Sequence, residues 1–108
     1  MTNEEKLKAN MAAAKLLGLD KEYELHSLPT GSAVMISLDG TRRWIGTFDL
    51  FTNPSDCLAV VKQLVEKEIV IKKQSTNDYR AMHLNQIARK GHRSFELALA
   101  AAVLGATK

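Results

Sequence analysis

The most reactive side chain in the sequence is its single cysteine, in FTNPSDCLAVVKQL, residues 51 to 64. Asn53 can cap a helix there, Pro54 suits its first position and Asp56 its first turn, which places Cys57 near a positive helix end. A thiol so placed can lose its proton early and act as a nucleophile. Cys57 nevertheless shares a helical stripe with Leu58, Val61, Leu64 and Val65, and free cysteine is among the most buried residue types. The expectation is a core residue. His26, His83 and His92 lack the close pair spacings of zinc or haem sites, and no second cysteine supports them. The acid pairs Glu4/Glu5 and Glu22/Glu24 fall at a helix start and on one strand face, positions that do not suggest general acid or base chemistry. Neither GxGxxG, GxSxG nor a phosphate-cradling GxxxxGK occurs. The expectation is a protein that is not an enzyme and has no catalytic residues, metal ligands or cofactor.

Basic residues offer binding chemistry instead. In ARKGHRSFELALAAAV, Arg89, Lys90, His92 and Arg93 precede an apolar helix. The free N–H groups and positive dipole of a helix start favour anions, and neighbouring cations strengthen that preference. Lys72 and Lys73 extend the candidate surface for nucleic acid or an acidic partner if their strand lies alongside. A basic loop in water is the commoner outcome for such a run. The arrangement resembles the last helix of double-stranded-RNA-binding domains. That family runs α-β-β-β-α, however, whereas a helix at 54 to 66 and a further strand intervene here. A third candidate is an aromatic and basic platform formed by Trp44 with Arg42 and Arg43, although a tryptophan beside Met35 in a strand is more often core.

These residues need a scaffold, and its elements can be read along the chain. Thr2 with Glu5 matches a capping box, Leu7, Met11, Ala14 and Leu17 recur at helical spacing, and Gly18-Leu19 reads as a stop. The first helix is expected over 3 to 17. YELHSL (23 to 28), AVMISL (33 to 38) and TRRWIGTF (41 to 48) read as strands, the last two joined at Asp39-Gly40. A two-residue loop would oppose Leu38 with Thr41, Ile36 with Arg43, Met35 with Trp44 and Val34 with Ile45. Both faces of that hairpin are then apolar, so helices are expected on both sides of the sheet. EIVIKK (68 to 73) is a fourth strand, YRAMHL (79 to 84) a candidate fifth, and FELALAAAVLGA (95 to 106) the last helix. The fold class is therefore α/β (α+β), a three-layer α/β/α sandwich in the order α-β-β-β-α-β-(β)-α with a mainly antiparallel or mixed sheet.

The 108 residues suit one domain, 1–108, and 45% hydrophobic residues can fill a core. A charged fraction of 25% argues against global disorder. The net charge of +3 lies in the C-terminal half: residues 1 to 54 hold six Lys/Arg against seven Asp/Glu, and residues 55 to 108 hold nine against five. An acidic partner is permitted at this magnitude but not demanded. One cysteine excludes an intrachain disulfide and suits a reducing compartment. The polar MTNEEKLKAN, with its two acids, does not read as a signal peptide, and LALAAAVLGA is too short and too alanine-rich to span a bilayer. The expected location is the cytoplasm, without membrane association, as a monomer or homodimer.

The run FDLFTNPSDCLAVVKQLVEKEIVI resembles the phage ABA-sandwich domain family, with its short turn, its helix and its β-branched strand. KLLGL and the alanine-rich SFELALAAAVLGA are similar to the opening and closing helices of that family. The resemblance implies a small α/β/α protein of a phage or prophage, acting in a bacterial host cell. It also implies that Phe48, Asp49, Asn53, Asp56, Cys57, Leu58 and Val61 are structural. The expected function is a non-enzymatic accessory protein that binds a host or phage protein, as a candidate inhibitor of a host defence system. The alternative is a nucleic-acid-binding protein using the basic residues before the last helix.

Overall fold

The computed structural model describes residues 1–84 and 86–107. Helix α1 (Asn3–Leu16) starts at a complete capping box: Thr2 Oγ1 accepts from the Glu5 N–H, and Glu5 Oε1 accepts from the Thr2 N–H, both at 3.1 Å. It ends where Gly18 turns left-handed at φ 77°, its N–H donating to the Lys15 carbonyl. The chain then makes one extra helical turn, α2 (Leu19–Glu22), that the sequence reading missed.

The α+β class follows the expectation, and the expected elements occur in the expected order, with α2 and the two-residue β6 added. Strands β1 (Tyr23–Ser27), β2 (Ala33–Ser37) and β3 (Trp44–Phe48) form one antiparallel sheet in the order β1-β2-β3. Helix α3 (Pro54–Glu66) follows, capped by Asn53, whose Oδ1 accepts from the Ser55 and Asp56 N–H groups. Strands β4 (Ile69–Ser75), β5 (Asp78–His83) and β6 (Gln86–Ile87) form a second antiparallel sheet in the order β4-β5-β6. Helix α4 (Phe95–Ala106) closes the chain. The candidate fifth strand is real, and the strands divide between two sheets.

The β2–β3 register differs from the two-residue reading. Met35 pairs with Gly46 and Ile36 with Trp44, so Ile45 is bulged out and residues 38–43 form the connection. The cause lies in side chains. Asp39 Oδ1 accepts from the Ser37 hydroxyl at 2.9 Å and the Thr41 N–H at 3.0 Å, while Ser37 Oγ accepts from the Arg43 N–H at 3.0 Å. These bonds build a wider loop in which Gly40 and Arg42, rather than Asp39 and Gly40, take positive φ.

A single cluster of buried side chains joins the elements. Phe48, Leu64, Leu99, Val60 and Val103 are its largest fully buried hydrophobic members. Alanines such as Ala9 and Ala13 let α1 and α4 approach closely, while Ile69, Ile71 and Ala81 bring one face of the second sheet onto the cluster. The sheet β1-β2-β3 turns Leu25, Ala33 and Phe48 inward. Its other face does not receive the expected cover at the hairpin end, where Trp44 is 66% exposed. Among the described residues, no helix is long and apolar enough to cross a membrane.

Candidate functional site

The predicted stripe on α3 is corrected: Leu64 is buried, but Leu58 and Val65 are 54% and 50% exposed, and Val60, outside the stripe, is fully buried. Cys57 packs at the edge of the core. It is half-buried beside Phe51, Phe95 and Leu99. Burial pushes its thiol above the usual range, and the Glu96 carboxylate adds to the rise. A raised pKa keeps the thiol protonated, the opposite of what a nucleophile needs.

Next to α3 stands a polar cluster of which the sequence reading named only Asp49, as a structural residue. Asn10 of α1 is fully buried and reaches both the turn before β2 and the β3–α3 loop. Asp49 accepts from the Phe51 N–H at 2.9 Å, the Thr52 hydroxyl at 2.9 Å, the Ser32 hydroxyl at 3.1 Å and Asn10 Nδ2 at 3.3 Å. Burial pushes the Asp49 carboxyl up, but these bonds outweigh it and hold it below the usual carboxylate range. Each member is occupied in joining segments, so the cluster is structural. Its signal in the sequence was a polar residue at position 10, inside the stripe from Leu7 to Ala14.

The histidines stay apart. His26 Nε2 lies 3.0 Å from Glu24, His83 pairs with Ile69, and His92 bridges to Tyr79. Among the described residues, no three His, Cys, Asp or Glu side chains are grouped to hold a metal.

The six basic candidates are divided. Facing residues on paired strands share a face, and neighbours alternate. Lys72 pairs with Arg80, and Lys73 with Tyr79, so the two lysines project from opposite faces of β4. Lys73 stands over the Tyr79 ring at 5.9 Å from its centroid, and the His92 backbone bridges to Tyr79 on the other side of β5. Arg89 and Lys90 sit on a bulge. The chain is anchored by the Ala88 N–H to the Ala81 carbonyl at 2.8 Å and by the mutual bonds of His92 and Tyr79. Between those anchors β5 uses one residue, Arg80, where the returning chain uses three. The Arg80 guanidinium holds the bulge by donating to the Ala88 and Arg89 carbonyls while pairing with Asp78 at 3.0 Å. Lys90 and His92 open onto a crease between α1 and α4, beside Lys8. Arg93 is exposed just before the α4 cap, where Ser94 Oγ accepts from the Leu97 N–H.

The platform at Trp44 gains most from the structure. Glu24, Ile36 and Trp44 form a row across three strands on the outward face. Arg42 reaches Glu24 at 3.6 Å, and Arg43 lies 3.9 Å from Asp39. Leu38 and Ile45 are exposed nearby in sequence, on the connection and the bulge. The result is an apolar centre ringed by charges of both signs. The assignment of Trp44 to the core is corrected: a strand pair decides which residues share a face, but only a third element covers it.

No family model, curated protein or solved structure matches the chain.

Proposed function

We propose that the protein is a non-enzymatic binding module that engages a partner protein through the outward face of β1-β2-β3. The supporting observation is the exposed Trp44 beside Ile36, with Arg42, Arg43, Glu24 and Asp39 around it. Tryptophan and arginine are the residues most enriched in binding hot spots, which a polar rim shields from water. Leaving two-thirds of an indole in water forgoes roughly 3 kcal/mol of apolar burial that a partner can supply. The phage-like features of the sequence make a host or phage protein the proposed partner, and inhibition of a defence system is the narrower form of the proposal. The test is capture from bacterial lysate by immobilised wild-type and Trp44→Ala protein, with circular dichroism to check folding. A partner held by the first and lost by the second is expected. Equal capture by both, or none by either, overturns the reading.

Nucleic-acid binding is the second reading, favoured by the crease in which Lys8 and Lys90 meet. Against it, Lys72 points to the opposite face from Lys73. Such binding would fall steeply with salt and would be abolished in Arg89→Ala/Lys90→Ala/Arg93→Ala protein.

A further inference from the structure

Helix α4 carries a single charged residue, Glu96, and is apolar all round, a composition that suits a helix covered on every side. It is not so covered. Ala101 and Leu104 are exposed. The uncovered surface is a groove against α1, in two parts joined at Lys8 and Leu104. Leu97, Ala100, Ala101 and Leu104 of α4, with Leu7 and Met11 of α1, supply its apolar lining. From Leu97 to Thr107 it follows α4 for about 15 Å, close to three helical turns. The alanines keep it shallow and wide enough for a backbone to approach.

The rim is cationic. Lys8 and Lys15 project from α1, and Lys90 comes from the pinned bulge beside β5. The acid in the lining, Glu5, has its carboxylate engaged by the Thr2 N–H in the capping box. We infer that this groove docks an amphipathic helix of a partner protein, with its apolar stripe on α4 and an acidic flank against Lys8, Lys15 and Lys90. A helix laid in an apolar groove anchors through residues at i, i+3, i+4 and i+7, which matches the length and the lining. A second copy of this chain fits less well, because the same three lysines on both copies would face one another. Nucleic acid would satisfy the lysines but leave Leu97 and Leu104 without apolar contact. The inference stands on different residues from the Trp44 face and survives or fails separately.

The test uses the full chain and two fluorescein-labelled peptides of about 15 residues, long enough to approach helix stability. Both carry leucine at i, i+3, i+4 and i+7; one has glutamate on the flanks, the other lysine. Anisotropy titration is expected to show binding of the acidic peptide only, weakened by salt. Leu104→Glu and Lys8→Glu/Lys90→Glu should each weaken it by tenfold or more, as loss of an apolar anchor or reversal of a charge pair does, whereas Trp44→Ala should leave it unchanged. All four positions are exposed, so these variants keep the fold, which circular dichroism checks. Equal binding of both peptides, or binding of neither, overturns the inference. So does a concentration-dependent dimer abolished by Leu104→Glu, which would make a second copy the occupant. Tighter binding of a labelled oligonucleotide, lost in Lys8→Glu/Lys90→Glu but unchanged in Leu104→Glu, would assign the groove to nucleic acid instead.

Discussion

Asn10 has no exposed surface, and both ends of its amide are in use: Nδ2 donates to the Gly31 carbonyl and Oδ1 accepts from the Leu50 N–H, each at 2.8 Å. Replacing it with alanine would strand buried backbone groups in two loops. Asn10→Ala is therefore expected to lose about 2–4 kcal/mol, read as a lower urea midpoint. Asp49 makes a pH prediction from the same cluster. Its folded pKa is depressed, so the unfolded chain binds its proton first as pH falls. Its contribution is present above the unfolded value, about 3.9, and is lost as pH drops through the lower folded value. Acid titration of thermal stability should show that loss below about pH 4, and Asp49→Asn should flatten it. Asn10 escaped a reading based on motifs, and Asp49 was expected to be structural only through a resemblance, because a buried amide and a loop carboxylate have no spacing rule. Their role comes from partners up to forty positions away.

Among the elements, the helices were the most legible. Thr2 with Glu5, Asn53 with Pro54, and Ser94 act on backbone groups within a few residues, so the caps could be read locally. The hairpin shows the limit of that approach. Asp39-Gly40 does mark the turn, but the side chains of Ser37, Asp39 and Thr41 select a longer loop, and Ile45 is displaced. The bulge after β6 depends on an absent side chain. A Cβ on Gly91 would collide with the Asp78 carboxylate beside Arg80, whereas one on Gly105 of α4 would meet open space. Gly91→Ala should cost about 1–3 kcal/mol by overpacking. Gly105→Ala should stabilise by roughly 0.8–1 kcal/mol through helix propensity. Chemical denaturation of the two variants gives the comparison, and equal effects would mean that the bulge yields without strain.

At the scale of the molecule, the exposed indole and the core lie in different places. The radius of gyration is 14.4 Å, above the roughly 13 Å of a compact chain of this length, and the longest dimension is 48 Å against 27 and 23 Å. The sole tryptophan should therefore report on its surface and not on folding. Native emission is expected near that of the unfolded chain, with acrylamide quenching hardly changed across the urea transition followed by circular dichroism. A blue-shifted, protected indole would place Trp44 under cover and remove the basis for its binding role. The sequence by itself determined the three longer helices and five of the strands, the helix that carries the thiol, and the absence of familiar catalytic spacings, because each depends on neighbours within a turn or a pleat. Only the tertiary structure decided the division of the strands into two sheets, the split of Lys72 from Lys73, the exposure of Trp44 and the groove along α4. Each of those depends on which distant surface covers another, and local periodicity contains no term for the covering element.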